Sequence, residues 1–507
     1  MSWKRGRRAV RLVLLYLCLG LFQQLPLSYA QQLPLSYAQQ LPPTPAQQAA
    51  PDPGSKAANP ETVPEWPTTP LFRAFQQSGY APPVPIGTLE PLRPIRLGPP
   101  DQRETPPDFR LSTFVTVSEE FTDNALQQKN DRQSEFRTNI APGISLKYER
   151  PNTSLNFVYV PRFVIPINTD IESSHVNQDL SLRTAWRPGT RLQFNLSEDF
   201  TQSTDSRDIQ NIGTAHTGTG VFTNNRATAE AAYVAPQFRT ALSYTNSLAI
   251  DSQSSVNDNM GHTGVASAEF TIPRATLSGS YTLTRGEYPN ASTASYWEQV
   301  GLGRLKYGLT PTIDATGLGS FTWNKKDEGD TNNIMLGKAQ VGATVTLGPE
   351  GSVIVAEAGG QIYAPEQGNS KISPSGRIAW TQRFSYASLT ASYDQGFQDH
   401  SQGISPTGLS EVRSAALLLE TSAFGNLKVT LGGQWNWERR EQTTSVGGPS
   451  GTWTTTWEAQ AGIRYLILQS LTLALNYVLT NRISDQPNTE YVENNIQLSL
   501  KYNYDRW

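Results

Sequence analysis

The sequence predicts an all-β fold: a transmembrane, antiparallel, up-and-down β-barrel of the bacterial outer-membrane type, with about 20 strands, or about 18 if two weak segments are misassigned. Three observations predict this fold. Polar and apolar residues alternate along segment after segment from Phe109 to the end of the chain. Most of these segments are longer than the strands of soluble proteins, and short connections between them alternate with long ones.

The chain begins with a predicted signal peptide, residues 1–30. The basic stretch MSWKRGRR precedes the apolar stretch AVRLVLLYLCLGLF, which is the order of a secretory signal. The apolar run contains Arg11 and is shorter than the roughly 20 residues of a transmembrane helix, so a helical anchor is disfavoured. The octapeptide QQLPLSYA occurs twice in tandem, and its small residues suit cleavage after Ala30 or Ala38. Cys18, the only cysteine, would leave with this segment.

Residues 31–108 are predicted to form a Pro-rich, disordered periplasmic arm. They hold more than half of the 35 prolines, and such a stretch cannot bury a core. The arm would either reach a partner or act as a plain spacer. The composition of the whole chain, with a formal net charge of −3, gives no reason to expect nucleic acid as a partner.

Residues 109–507 are predicted to form the barrel. Leu427, Val429 and Leu431 alternate with Lys428 and Thr430, as expected of a strand with one apolar and one polar face. Most segments run about 11 to 15 residues, which suffices for a tilted membrane-crossing strand. The segment 409–423 shows the weakest alternation. The predicted strands begin near residues 109, 134, 153, 174, 190, 220, 236, 258, 275, 293, 311, 333, 350, 372, 387, 409, 425, 453, 469 and 490.

The connections predict an orientation. Short ones such as RPNT (150–153) and GPEG (348–351) alternate with long polar ones such as KKDEGDTNN (325–333). Bacterial outer-membrane barrels have short periplasmic turns and long outer loops. With an even number of strands, both termini are therefore predicted to lie in the periplasm. Trp507 breaks the alternation of Tyr504, so we expect either that the last strand ends at Tyr504 or that a bulge restores the phase.

The polar face of the predicted strands carries charges of both signs, with basic residues in excess. These side chains would either form a solvated wall or interact with passing solutes, and an excess of basic residues would favour anionic solutes. Asn, Gln, Tyr and Trp beside them would suit hydroxyl-rich polymers. The predicted lumen-facing charges are Arg137, Lys147, Arg183, Arg226, Glu230, Arg304, Lys306, Arg377, Arg383, Lys428, Glu438, Glu458 and Arg464. The predicted aromatic girdle comprises Trp186, Trp297, Trp323, Trp435, Trp437, Trp453 and Trp457.

The first predicted hairpin carries a family resemblance. Residues 115–163 hold an acidic, aromatic and Asp-Asn turn (Glu120 to Asn124) and then a strand with Pro142 and Gly143. In these features the stretch resembles the opening of the β-barrel porin 2 family. Members of that family are outer-membrane barrels found with exopolysaccharide biosynthesis and export genes. The resemblance implies the barrel and its compartment, and it implies polysaccharide export by association.

Three functions follow as hypotheses. The main one is a conduit for secreted exopolysaccharide across the outer membrane. The alternatives are a passive diffusion porin for small polar solutes and a structural sheath around a periplasmic partner. The expected partners are the lipid bilayer of the outer membrane, the barrel-assembly machinery, and periplasmic polysaccharide-export proteins bound through residues 39–108. We expect no interaction with nucleic acid.

No catalytic, cofactor-binding or metal-binding residue is predicted. His175, His216, His262 and His400 have no metal-ligand spacing. No Gly-x-Ser-x-Gly nucleophile motif occurs. We therefore expect no cofactor and no enzymatic activity.

Overall fold

The computed structural model describes most of the chain from residue 108 onward. The described ranges are 108–125, 127–130, 132–167, 173–204, 221–252, 258–288, 295–327, 333–348, 351–366, 369–399, 409–422, 425–440, 451–485 and 490–506. The predicted signal peptide and the predicted arm lie outside these ranges. Among the residues described, no helix is long and apolar enough to cross a membrane.

Twenty β-strands make up the described structure. In chain order they are β1 (Asp108–Thr122), β2 (Glu135–Arg150), β3 (Thr153–Pro166), β4 (His175–Trp186), β5 (Leu192–Ser203), β6 (Phe222–Ala235), β7 (Phe238–Asp251), β8 (Asn259–Ile272), β9 (Ala275–Glu287), β10 (Tyr296–Thr310), β11 (Ile313–Lys326), β12 (Ile334–Leu347), β13 (Ser352–Pro365), β14 (Lys371–Arg383), β15 (Ala387–Asp399), β16 (Leu409–Thr421), β17 (Leu427–Arg440), β18 (Trp453–Leu468), β19 (Leu471–Ser484) and β20 (Tyr491–Arg506). The predicted number of about 20 is confirmed, and the weakest predicted segment, 409–423, is the regular strand β16.

The sheet closes on itself. Each strand pairs antiparallel with the next one along the chain, for example β9 with β10 and β19 with β20. β1 also pairs antiparallel with β20, in register from Leu111 opposite Arg506 to Thr122 opposite Asn495. The predicted up-and-down barrel is therefore confirmed. Twenty strands about 4.8 Å apart and tilted by about 40° enclose a cylinder roughly 40 Å across.

The last strand behaves differently from both sequence-based expectations. β20 does not stop at Tyr504, because its pairing with β1 continues through Asp505 and Arg506. No register shift interrupts that pairing, so no bulge restores the phase. Trp507 lies outside the described residues.

The exterior of the barrel is apolar. Along β20, Ile496, Leu498, Leu500 and Tyr502 are exposed, whereas Ser499 between them is buried. The same alternation of exposed apolar and covered polar side chains recurs around the wall, for example at Phe270 and Ile272 on β8. A closed sheet that satisfies its own backbone hydrogen bonds and presents an apolar outer surface is the form in which strands cross a membrane.

At two places in the wall, a glycine makes room for an aromatic ring from the adjacent strand. Phe114 pairs with Gly143 across β1 and β2, and a Cβ atom at Gly143 would overlap the Phe114 ring. Phe321 covers Gly301 in the same manner across β10 and β11. An aromatic ring laid over a cross-strand glycine pins the register of a strand pair. The Pro-Gly feature of the family resemblance thus has a packing reason in this chain.

Candidate functional site: the barrel lumen

The inner face of the wall carries all of the charged side chains that the sequence predicts for the lumen. Cross-strand pairing puts them on the face opposite the exposed apolar residues, as Arg226 opposite Ser247 and Lys428 opposite Arg464 illustrate. The positions on this face are Arg137, Lys147, Arg183, Arg226, Glu230, Arg304, Lys306, Arg377, Arg383, Lys428, Glu438, Glu458 and Arg464.

The basic side chains have acidic partners, and of these the sequence analysis named Glu230 but missed Glu120, Asp199, Asp314 and Glu420. The ion pairs on the inner face include Arg137 with Glu120 at 3.1 Å, Arg183 with Asp199 at 2.9 Å, Lys306 with Asp314 at 2.9 Å, Lys428 with Glu420 at 2.7 Å and Arg239 with Glu230 at 3.6 Å. The expected excess of basic residues is therefore offset by carboxylates on the same face. The wall is mixed in sign, and its opposite charges lie close together.

A charged cluster occupies the inner face of β10 to β14. Arg304 of β10 forms an ion pair with Glu357 of β13, across the two strands between them. Glu357 lies against Gly342 of β12, where a side chain would overlap it, so this glycine leaves the carboxylate room to lie along the wall. Lys338 and Arg377 lie near the same carboxylate and interact with its charge. We call Arg304, Lys338, Glu357 and Arg377 the mid-wall cluster.

The two ends of the lumen differ in exposure. At the end with the long connections, inward side chains in the last residues of the strands are buried, including Thr122, Ser203, Thr284, Glu298 and Ser410. At the end with the short turns, some inward side chains are open to solvent, as the 61% exposure of the Arg183 side chain shows, whereas others such as Gln193, Thr472 and Lys501 are buried. Inward side chains are thus covered at more positions at the long-connection end, which we call the narrowed end, than at the short-turn end.

A polar seam joins the last strand to the first at the narrowed end. Within it, Glu120 accepts hydrogen bonds from Arg137 at 3.1 Å and from Asn495 at 2.6 Å. Thr122 donates to Glu493 at 3.0 Å. These groups are buried on the inner face and connect β20, β1 and β2.

The turn that carries the family resemblance extends this seam. The Asp123 carboxylate accepts hydrogen bonds from the backbone and side-chain amides of Asn494, at 2.6 and 2.7 Å. Beyond the strand ends, Lys129 forms an ion pair with Glu490, and the hydrogen bond from its ammonium holds the pKa of the Glu490 carboxyl below the ordinary value. The acidic, aromatic and Asp-Asn turn therefore connects the first strand of the barrel, β1, to the last strand, β20.

The predicted girdle tryptophans all lie on the outer face. The register gives this placement for Trp186, Trp297, Trp323, Trp435, Trp437, Trp453 and Trp457. Trp435 and Trp457 pack against each other with ring centroids 6.0 Å apart. Trp380 faces outward near the short-turn end of β14, and the sequence analysis missed it.

The lumen lacks the exposed aromatic wall expected for a polymer path. The tryptophans described all face outward, so the expectation of Trp beside the inner charges is wrong for this part of the chain. The inward rings of Phe222, Tyr296 and Tyr363 are buried at the narrowed end. The ring of Phe114 is covered by the Lys501 ammonium, 4.1 Å from its centroid. Sugar chains would find few open aromatic faces on the described wall.

Among the described residues, no cluster of three or more His, Cys, Asp and Glu side chains could hold a metal ion. His175 contacts Thr204, and His262 on the outer face contacts Tyr244. His216 and His400 lie outside the described residues. The expectation that the chain is not an enzyme remains a prediction.

Closure, an apolar exterior and a charged interior define the class of this protein as a transmembrane β-barrel of the outer-membrane type. No protein-family model and no curated protein matches the chain. Membership of the β-barrel porin 2 family therefore stays a prediction from residues 115–163.

Solved structures give similarities at low identity. One is OccAB3 from Acinetobacter baumannii, with a TM-score of 0.39 and 9% identity over 79% of this chain and 100% of that chain. OccAB4 from the same organism has a TM-score of 0.39 and 9% identity over 81% of this chain and 100% of that chain. The outer membrane protein OpdK from Pseudomonas aeruginosa has a TM-score of 0.36 and 11% identity over 78% of this chain and 99% of that chain. At these values no solute or activity carries over to this chain.

Proposed function

We propose that this protein is a channel for the passive diffusion of small polar and charged solutes across the outer membrane. The observation that carries the proposal is the inner face of a closed wall, which is lined by paired charges, hydroxyls and amides and is open to solvent at positions such as Arg183 and Lys428. Such a lining keeps water in the lumen and offers hydrogen bonds to solutes. The narrowed end would set the size limit.

The proposed orientation has the long connections outside the cell. Both the start of β1 and the end of β20 lie at the short-turn end, since Asp108 pairs with Glu149 and Leu111 with Arg506. Bacterial barrels keep their short turns in the periplasm. Both termini would then be periplasmic, and the barrel-assembly machinery would receive the chain from that side.

Conduction is the direct test of the diffusion proposal. The purified full chain in planar bilayers is expected to give stepwise ionic conductance, and proteoliposomes should swell in small sugars and amino acids but not in long oligosaccharides. Swelling that is fastest in long oligosaccharides, or a bilayer that stays silent at all voltages, would contradict the proposal.

The mid-wall cluster supports a prediction about ion selectivity. Glu357→Gln removes one negative charge from the side of Arg304, Lys338 and Arg377. A unit charge about 10 Å from a permeating ion in water is worth about 0.4 kcal/mol, with opposite sign for anions and cations, so the anion-to-cation permeability ratio should rise roughly fourfold. The reversal potential in a salt gradient measures this ratio.

Glu119→Gln is the matched control for this measurement. Glu119 also carries a carboxylate, but it faces outward beside Thr138, whose hydroxyl donates to it at 2.9 Å. Its substitution should leave the reversal potential unchanged. Equal shifts in the two variants would mean that permeating ions do not pass the mid-wall cluster.

The exopolysaccharide conduit is the second candidate. The resemblance of residues 115–163 favours it, and the scarcity of open aromatic faces on the inner wall speaks against it. Secreted polysaccharide, cell-bound and released, would be measured in a deletion strain with and without the restored gene. Normal secretion in the deletion strain would exclude the conduit.

The arm provides a separate test of the conduit and sheath hypotheses. Periplasmic export proteins would bind through residues 39–108 if the barrel were a conduit or a sheath. Deletion of 39–108 should then abolish secretion while the barrel still folds, whereas the diffusion channel should conduct as before.

A further inference from the structure

A second candidate site lies on the outer face at the long-connection end of β16, β17 and β18. Trp437, Arg439 and Trp453, together with Gly451, line a cavity of about 490 Å³. Arg413 adjoins it, since Arg413 pairs with Trp437 across β16 and β17. We call Arg413, Trp437, Arg439 and Trp453 the outer-face patch.

The patch combines cationic and aromatic groups in a fixed arrangement. The Arg413 guanidinium stacks on the Trp437 ring, 4.7 Å from its centroid, and is held by the Glu411 carboxylate at 2.9 Å. Arg439 is exposed and lies opposite Glu411 on β16 and Trp453 on β18, and it forms no ion pair within 4 Å among the residues that the structure describes. The patch thus holds two guanidinium groups beside an open cavity, with the Glu411 carboxylate between them and the Asp485 carboxylate bound to the Trp453 backbone amide at its edge.

The depth of the patch corresponds to the headgroup level of a membrane. From Leu427 to Arg439 the chain of β17 rises by about 31 Å along the barrel axis, taking about 3.4 Å for each residue and a tilt of about 40°. The hydrocarbon core of a bilayer is about 30 Å thick. Trp435, below the patch on the same face, packs with Trp457 at the level where aromatic girdles lie.

We propose that the outer-face patch binds the phosphate group of a phosphorylated glycolipid in the outer leaflet. Guanidinium groups form bidentate, charge-assisted hydrogen bonds with phosphate, and tryptophan rings pack against sugars and acyl chains at the interface. A cavity on the lipid-facing side of the wall is reached by lipids. The location in the outer leaflet rests on the proposed orientation.

Arg285 supplies a natural contrast. It also faces outward and lies over a tryptophan ring, that of Trp297, at 5.3 Å. However, Glu287 and Asp327 both form ion pairs with it, so its charge is already neutralised. An arginine over a tryptophan is therefore not sufficient, and the patch is distinguished by the exposed Arg439 guanidinium, which forms no ion pair among the described residues.

The test measures binding of lipid A by the folded full chain in detergent, with native mass spectrometry as the readout. Lipid A with its phosphates intact is expected to bind, and its dephosphorylated form is expected to bind more weakly. The double variant Arg413→Gln/Arg439→Gln should weaken binding by about tenfold or more, because charge-assisted hydrogen bonds are lost. Arg285→Gln should bind as the unchanged protein does.

Three outcomes would overturn the proposal. They are equal binding of the two lipid forms, unchanged binding by the double variant, and competition by millimolar inorganic phosphate alone, which would mean a site for a free anion. The heat-dependent mobility of each variant on electrophoresis shows whether it is folded. Since the patch lies outside the lumen, conductance of the same preparations tests the channel independently, so failure of one proposal is distinguishable from failure of the other.

Discussion

Arg137→Met is expected to lower the free energy of unfolding of the barrel by about 3–5 kcal/mol, because breaking a buried ion pair leaves an uncompensated charge. Arg137 and Glu120 are both almost fully covered, and they lie where β1 meets β2 and β20. Without the guanidinium, the Glu120 carboxylate would retain the Asn495 amide and the weaker influence of Arg162 but lose its hydrogen-bonded countercharge. The measurement is urea unfolding in lipid vesicles, followed by tryptophan fluorescence.

Two further variants test whether the buried charge causes this loss. Arg183→Met breaks the ion pair between Arg183 and Asp199, in which both side chains are exposed. This variant should lower the free energy of unfolding by less than about 1 kcal/mol. The double variant Arg137→Met/Glu120→Leu removes both charges of the buried pair and should recover part of the stability. If Arg137→Met and Arg183→Met unfold at the same urea concentration, the seam does not depend on its ion pair.

Strand positions could be predicted from this sequence because the two faces of each strand meet different solvents. The predicted start near 453 coincides with Trp453 at the start of β18, and that near 387 coincides with Ala387 at the start of β15. The alternation of side chains ends where a turn begins, so the pattern marks strand ends as well as strand faces. β16 was the weakest prediction because its three consecutive leucines, 417 to 419, hide the period of two.

The ion pairs of the lumen could not be predicted in the same way, although Glu230, Glu438 and Glu458 were assigned to the inner face. Alternation assigns a face to a residue, but it does not say which residue on another strand lies beside it. Alternation places Glu119 with Val117 and Phe121 and puts Glu120 on the other face, but only the pairing of β1 with β2 shows that Arg137 lies opposite Glu120. Glu357 and Arg304 are 53 residues apart and meet across two intervening strands. Opposite charges placed side by side on neighbouring strands would have indicated these ion pairs, but only once the strand register was known.

Burial at the long-connection end was likewise absent from the sequence pattern. Thr284 and Glu298 read as ordinary inward polar residues, yet both are almost fully buried. Polar residues on an inner face look alike in sequence whether they line an open or a covered part of the lumen. The burial of these positions depends on the three-dimensional surroundings of each strand end, which the alternation along one strand does not encode.

Leu417→Arg is expected to destabilise the folded barrel by about 2–4 kcal/mol, because an arginine on the lipid face near the bilayer midplane must be taken out of water. Leu417 lies near the middle of β16 and is 51% exposed on the outer face. The loss would be measured as a shift in unfolding free energy in vesicles.

Leu418→Arg is the matched control, since the wild-type residue is the same, the position is adjacent, and the side chain faces the lumen opposite Thr390 and Gly432. In a water-filled lumen the added charge would be solvated, and it should cost far less than the lipid-facing arginine. The difference between the two variants therefore measures the contrast between the two faces of the wall. If the two arginines destabilised the barrel equally, either the outer face would not contact lipid or the lumen at this level would be dry, and conductance of the Leu418→Arg variant would distinguish these cases.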